Sequence, residues 1–432
     1  MTPPPAERHH ILLFDLTHNA HFSSFLRHWL LWWERQRPTG RFTVVVDPYL
    51  LERHPELRSL ERRCRGGVRL RPITSAQKRE RKSRYAGREY EEWPLHRLLR
   101  PETTKDYPPL FDWSLFCTYA RQEGASHAVM ANIDQFLPLL AAGCASPERF
   151  SGISFCATFP GRRLRDTPNG GAHRALPADA LLLARGLRHP HLHSLFMNDA
   201  EWVELLRSFT YSERVVHLPE VAELNAGEES TTTELRRLLR DLDGRVVFLV
   251  FGDLWPRKGV MTAMAAMAHL TQDQQRRAAL VIAGRSHPTF EEKIHEAACS
   301  LRNHTSVAVL ECHRFLSEEE VAVLFDRADV VLTLYTGHAG MSNVILLAAA
   351  AQRPVLSSAE GRMGKLVEQE KLGRTVDAAD PDAVAAAVAH CLEAAPGTLG
   401  NAEKMRDLAA RHTGEHFAGT FFRRLGLVDG SG

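Results

Sequence analysis

The sequence predicts an α/β protein of two domains, each a parallel sheet covered by helices on both faces. Three observations carry this. Apolar, β-branched runs of strand length alternate with helical segments through the first half of the chain, the pattern of a sheet buried on both sides. After HLPE the chain becomes polar and apolar-poor, VAELNAGEESTTTE, ending in a Ser/Thr cluster that suits a linker before a capped helix and places a boundary near residues 221–235. The alternation then restarts at RVVFLVFG, and 432 residues suffice for two separate cores.

Composition narrows the class. Hydrophobic residues make up 44% and charged residues 25%, ordinary for a globular protein, and a net charge of +2 gives no general reason to expect a nucleic-acid partner. No apolar run approaches the roughly 20 residues of a membrane span, and MTPPPAERHH lacks the apolar core of a signal peptide. The seven cysteines are scattered without a CxxC, which argues for reduced thiols in a cytoplasmic protein with neither disulfide framework nor zinc site. HPHLHS (189–194) has no carboxylate or cysteine companion nearby, so no metal is assigned to it. No internal repeat of short period is present.

In the first half, HHILLFDL gives a strand over about 10–16. In the helix that follows, Phe22, Phe25, Leu26, Trp29, Leu30 and Trp33 recur at helical spacing and define a broad buried face. FTVVVDP (42–48), VRLRPI (68–73), HAVMANI (127–133), FSGISF (150–155), SLFMND (194–199) and RVVHLPE (214–220) read as further strands. In open parallel sheets ligands lie beyond the carboxyl ends of the strands, which selects Asp15–His21, Asp47, Asp134 and Asn198–Asp199. His18, His21 and Asp134 are the candidate catalytic or acceptor-contacting residues. The alternatives are solvated histidines beside a helix-capping Asn19, and a loop-capping aspartate. Residues 61–104 carry 13 Lys and Arg against six Glu, with Tyr85, Tyr90 and Trp93 among them. Such a segment suits a loop over an anionic acceptor or a peripheral contact with an acidic surface; the competing reading is a solvated excursion.

In the second half, RVVFLVFG (245–252), AALVIAG (278–284), SVAVLE (306–311) and DVVLTLY (329–335) are strands, with helices at MTAMAAMAHL and around 289–301 and 318–327. A last helical stretch, about 402–425, carries Phe417, Phe421 and Phe422. DVVLTLY leads into TGHAGMSNVILLAAAA: a turn with Gly337 and Gly340, a helix starting near Ser342 or Asn343, and a stop before Pro354. Strand, glycine turn and helix N-terminus form an anion site, because unpaired N–H groups and the helix dipole both favour negative charge there. An ordinary βα crossover has the same outline.

This segment resembles the donor-site signature of GT-B glycosyltransferases of family 4, EGFSNVILEAMAAGKPVI. Gly340, Ser342–Leu346, Ala348, Ala350, Pro354 and Val355 match in register. FGDLWPRKG resembles the family's GRLxxEKG loop, ALVIAGR its strand ending in GxG, and ECHRFLSEEEVAVLFDRADVVLTLY its GxVSDEELxxLYxxADVFVLPS. The similarity covers about residues 245–390, and the first half matches only in architecture. The resemblance implies a GT-B fold, two Rossmann-like domains facing across a cleft: an acceptor domain over 1–222, a nucleotide-sugar donor domain over 223–418, and a tail over 419–432 that could return to the first domain. It implies transfer of a sugar from a nucleotide-sugar donor to an unidentified acceptor, with retention and with neither metal nor cofactor. The donor phosphates fall to Arg257, Lys258, Gly340, Met341, Ser342 and Asn343, and the nucleoside to Gly284, Arg285, Arg314, Phe315 and the position of Leu347. Three positions depart from the family pattern. Its paired glutamates fall on Ala339 and Leu347, which cannot hydrogen-bond through their side chains, and its arginine on Asp253, which would repel phosphate unless Arg257 compensates. The departures keep open a non-catalytic GT-B protein that binds a partner protein or ligand, and a GT-B nucleotide-sugar epimerase using N-terminal aspartates.

Overall fold

The computed structural model describes residues 9–17, 20–86, 108–154, 183–210, 212–224, 232–338, 340–395 and 397–427. The chain divides into two compact units, Met1–Glu220 with Gly414–Gly432, and Val221–Thr413.

The first unit is built on seven parallel strands: β1 (His10–Asp15), β2 (Arg41–Val46), β3 (Val68–Pro72), β4 (His127–Met130), β5 (Phe150–Ser154), β6 (Leu192–Met197) and β7 (Val215–His217), in the order β3-β2-β1-β4-β5-β6-β7. β1, β4 and β5 are buried along their whole length, as expected of strands whose both faces are covered. β2 stops at Val46, short of the run read from the sequence, because Asp47 turns to cap the helix Pro48–Arg53, accepting from Tyr49 N at 2.9 Å with Pro48 in the first turn.

The stretch 402–425 is two helices, Ala402–Ala410 and Gly414–Arg424, where the sequence suggested one. The second begins on a glycine because a Cβ at Gly414 would stand 2.2 Å from His28 Nδ1. It lies in the first unit, so the chain leaves the second unit after Thr413, before the position 418 read from the resemblance. Its phenylalanines meet the tryptophans of the helix Ala20–Gln36: Trp29–Phe417 at 5.1 Å, Trp29–Phe421 at 4.9 Å and Trp32–Phe422 at 4.6 Å between centroids.

The second unit holds six parallel strands: β8 (Val246–Phe251), β9 (Ala278–Ala283), β10 (Ala308–Cys312), β11 (Val330–Thr333), β12 (Val355–Ser358) and β13 (Gly373–Val376), in the order β10-β9-β8-β11-β12-β13. Each sheet therefore reverses direction of winding beside its first strand, between β1 and β4 in the first unit and between β8 and β11 in the second. A doubly wound sheet opens its ligand crevice at that reversal, beyond the carboxyl ends of the two strands. β8 and β11 end at Phe251 and Thr333, so the segments Gly252–Gly259 and Leu334–Ser342 are placed by topology alone at the second unit's binding position.

Candidate anion-binding site

The two loops at this position are held together through their backbones. Gly259 sits at φ 72°, and a Cβ there would come 2.1 Å from Leu334 O. Thr336 N donates to Arg257 O at 2.9 Å. The loop after β9 is drawn in likewise: Gly284, at φ 138°, passes so close to Gly252 that a Cβ would stand 1.8 Å from its carbonyl oxygen, and Leu254 N donates to Arg285 O at 2.6 Å. Only glycine tolerates these conformations and approaches without strain.

This framework turns Lys258 inward. A 3₁₀ turn over Pro256–Lys258 leaves its side chain with 9% exposure, its Nζ 4.1 Å from the Tyr335 ring centroid and donating to Tyr335 Oη. Tyr335 Oη lies 3.0 Å from Ser342 Oγ. Ser342 caps the helix Asn343–Ala350, accepting from Val344 N at 3.3 Å. Arg257 lies over the same ring, its guanidinium carbon 5.6 Å from the centroid, and donates to His338 Nδ1 at 3.3 Å. That bond makes Nδ1 an acceptor, so Nε2 carries the proton and donates to Met341 O at 3.2 Å. Gly340 lies against this imidazole, which a Cβ would meet at 3.3 Å. Gly337 N, in the same turn, donates to Glu360 Oε2 at 3.3 Å.

Among the described residues neither Lys258 nor Arg257 has a carboxylate within ion-pair distance. Asp253, expected to need balancing by Arg257, is paired instead with Arg285 at 3.3 Å, which leaves Arg257 uncommitted to any acid. Two adjacent cations, one of them buried, thus stand beside a helix N-terminus with their charge unmatched. Burying an ammonium against a neutral phenol is unfavourable unless an anion completes the shell.

The nucleoside candidates are placed less uniformly. Phe315 is 51% exposed beyond β10, with the Arg285 guanidinium 5.7 Å from its ring centroid. Arg314 is committed elsewhere: its guanidinium grips Glu320 at 2.8 and 2.5 Å, which raises its own pKa and lowers that of Glu320. Its backbone N–H is used as well, on Cys312 O at 3.1 Å. Leu347 packs against the apolar core of the second sheet. Asn343 Oδ1 is buried without a hydrogen-bond partner in the first turn of the same helix. Ala339 lies outside the described residues.

In the first unit, His18 lies outside the described residues, and of His21 only its place in the helix Ala20–Gln36 is described. Asp134 is buried in a 3₁₀ turn beyond β4 and accepts from Ser154 Oγ at 2.5 Å, tying the ends of β4 and β5 together. Asp199 caps the helix Ala200–Thr210 through Trp202 N at 3.0 Å, and Asn198 donates to Glu220 at 2.6 Å. Sequence reasoning selected Asp15 by its place at the end of β1 but not its titration, and it did not single out Asp112. Asp15, which accepts from Thr17 N at 2.5 Å, is pushed up to about 6 by burial. Asp112 is pushed up to about 6 by burial, although Arg81 Nε reaches both its oxygens at 3.0 Å and Tyr85 donates to it at 2.8 Å.

The described part of the basic segment is largely matched within its own unit. Lys78 pairs with Asp47 at 2.9 Å, Arg81 with Asp112 at 3.0 Å, Arg63 with Glu34 at 2.8 Å and Arg71 with Glu123 at 3.0 Å. Residues 87–104 lie outside the described residues. Among the described residues no group of His, Cys, Asp and Glu could hold a metal ion, and no helix is long and apolar enough to cross a membrane.

The solved structures that resemble this chain share its two-unit architecture over nearly all of its length. Anabaena HepE in complex with UDP superimposes with a TM-score of 0.61 at 14% identity, covering 97% of this chain and 100% of that one. Sucrose-phosphate synthase from Thermosynechococcus elongatus gives 0.60 at 17% identity, covering 97% and 99%. An alpha,alpha-trehalose-phosphate synthase (UDP-forming) from Burkholderia xenovorans, in complex with glucose-6-phosphate, gives 0.59 at 14% identity, covering 96% and 100%. No curated protein sequence matches the chain. The fold is GT-B, with a Rossmann-like sheet in each unit. Residues 245–394, which include both loops of the candidate anion site, match the family model Glyco_trans_1_4, glycosyl transferases group 1.

Proposed function

We propose that the protein transfers a glycosyl group from a nucleotide-sugar donor, with the donor diphosphate held in the second unit by Lys258, Arg257 and the amides of Gly340–Asn343. The observation that carries this is the pair of cations without a carboxylate, set at the reversal of a doubly wound sheet and beside a helix N-terminus. Cleaving a sugar–diphosphate bond places negative charge on the leaving oxygen. Fixed cations and oriented N–H groups stabilise that charge without a metal, so the residues present suit metal-independent transfer. The family match over 245–394 and the UDP named for the Anabaena HepE structure favour the same chemistry. We assign the base to the surface around Gly284, Arg285 and Phe315, and the acceptor to the first unit, where Asp15 ends β1 and Asp134 lies in the turn beyond the adjacent β4. Retention of configuration follows from the family resemblance alone.

A second reading, a donor-binding subunit without turnover, is favoured by Leu347. It stands where the resemblance expects a hydroxyl-binding glutamate and is packed into apolar core instead. Titration of UDP-, GDP- and ADP-sugars by calorimetry, with release of free nucleoside diphosphate followed in parallel, separates the two. Binding with release supports transfer, and binding without release in the presence of an acceptor panel supports the subunit. Absence of binding by every nucleotide removes both.

A further inference from the structure

We propose that Tyr335 is a positioning residue that couples the Lys258 ammonium to the Ser342 hydroxyl, so that lysine and helix cap act on a bound diphosphate as one unit. This rests on the donor-site reading above. Lys258 Nζ can only donate, so its hydrogen bond to Tyr335 uses a lone pair of the phenol oxygen. A phenol that accepts from a cation is a stronger donor and a poorer acceptor, which directs its own proton to Ser342 Oγ at 3.0 Å. Ser342 Oγ then accepts twice, from Tyr335 and from Val344 N at 3.3 Å, and its own hydroxyl proton has no acceptor among the described residues.

Ser342 is 7% exposed, so this is a nearly buried donor lacking a partner, in the residue that opens the helix Asn343–Ala350. An anion of diphosphate type would complete it, taking the serine proton, the remaining ammonium protons and the first-turn amides together. The ring contributes separately. It supports both cations by its face, with Nζ at 4.1 Å and the Arg257 guanidinium carbon at 5.6 Å from the centroid. Tyr335→Phe therefore removes the coupling while keeping the platform, and Tyr335→Leu removes both.

The experiment is calorimetric titration of inorganic pyrophosphate, UDP and uridine into the wild type, Tyr335→Phe, Tyr335→Leu and Ser342→Ala, each checked for a wild-type melting profile. Tyr335→Phe is expected to bind UDP and pyrophosphate about tenfold more weakly while binding uridine as the wild type does, and Tyr335→Leu more weakly still. Combining Tyr335→Phe with Ser342→Ala should add little to either alone, because both interrupt one chain of bonds. Equal pyrophosphate affinity in the wild type and a folded Tyr335→Phe overturns the coupling and leaves the donor reading standing. Loss of uridine and pyrophosphate affinity in equal proportion overturns it too, since that marks a merely structural tyrosine. A wild type that binds neither UDP nor pyrophosphate overturns both.

Discussion

Replacing Lys258 by methionine separates binding from stability. The ammonium is buried on a tyrosine ring with no carboxylate partner, so the unliganded protein bears the desolvation of an unmatched charge. Methionine fills similar volume without that charge. The loss on the stability side is the cation–π contact, about 0.5–2 kcal/mol, together with the charged hydrogen bond to Tyr335 Oη, about 1.5–3 kcal/mol, against a desolvation penalty of several kcal/mol for a buried ion. The melting temperature should therefore change little. Binding should fall, because removing one partner of a charge-assisted phosphate contact costs about 1.5–3 kcal/mol, or about 10- to 150-fold in affinity. Calorimetry with UDP and scanning calorimetry of the free protein read the two quantities independently, and adding Arg257→Ala should abolish transfer. A folded Lys258→Met protein that binds UDP within twofold of wild type refutes the placement of the diphosphate. A melting temperature lowered by several degrees with affinity intact assigns the lysine a structural role instead.

Three further outcomes follow from the geometry. Leu347→Glu introduces the acceptor that ribose hydroxyls lack at that position; it should tighten UDP but not pyrophosphate, at some cost in stability because Leu347 packs on the core, and a titration of both ligands checks it. Phe421→Ala should cost about 3–5 kcal/mol in chemical denaturation, since Phe421 is fully buried against Trp29 and Phe196 and anchors the last helix in the first unit. Asp15 gives a pH signature. Its folded value of about 6 lies above the ordinary 3.8, so the folded state binds the proton more tightly, and this contribution is present below about pH 4 and lost as pH rises through 6. The full difference corresponds to about 3 kcal/mol, so Asp15→Asn, which keeps an acceptor for Thr17 N, should gain stability relative to wild type between pH 5 and pH 7.5; parallel melting curves at the two pH values test it.

Much of the fold was legible because buried parallel strands write themselves as apolar runs. VVFLVF, AALVIA and the first part of DVVLTLY became β8, β9 and β11 with only end residues displaced. The helix cap at Ser342 was legible from local pattern, a serine before an alanine-rich helix, whereas Lys258 was singled out only through the family resemblance. Tyr335 was legible from neither. At the end of an apolar strand a tyrosine reads as core, and its hydroxyl acquires a role only when Lys258, 77 residues earlier in the chain, is folded onto it. The same holds for Asp253, whose partner Arg285 lies 32 residues away in a neighbouring loop, and for Asp112, which meets Arg81 across 31 residues. Side-chain pairing between loops depends on loop conformation, which periodicity does not encode. The break between the last two helices was missed for a related reason, because Gly414, where the second begins, meets His28 from another part of the chain.

The departures from the family signature are unevenly distributed over the site, and this bears on specificity. The two positions where the resemblance expects acceptors for sugar and ribose hydroxyls hold Ala339 and Leu347, whereas Lys258, Gly340, Ser342 and Asn343 match the signature. Asp253, the one change on the anionic side, is neutralised by Arg285. On the proposed donor reading, binding energy is concentrated on the diphosphate, through cations and helix-terminal donors that do not distinguish one sugar from another. A carboxylate–hydroxyl hydrogen bond is worth about 1.5–3 kcal/mol, so losing it removes most of the gain a sugar makes over the bare nucleotide. UDP and UDP-glucose should then bind within about threefold of each other, short of the roughly tenfold or greater change expected from one charge-assisted bond. Competition titration of the two ligands against one protein sample measures the ratio directly. A preference for UDP-glucose beyond tenfold would show that other side chains read the sugar, with Glu360, which already holds Gly337 N at 3.3 Å in the same turn, the first to replace by glutamine.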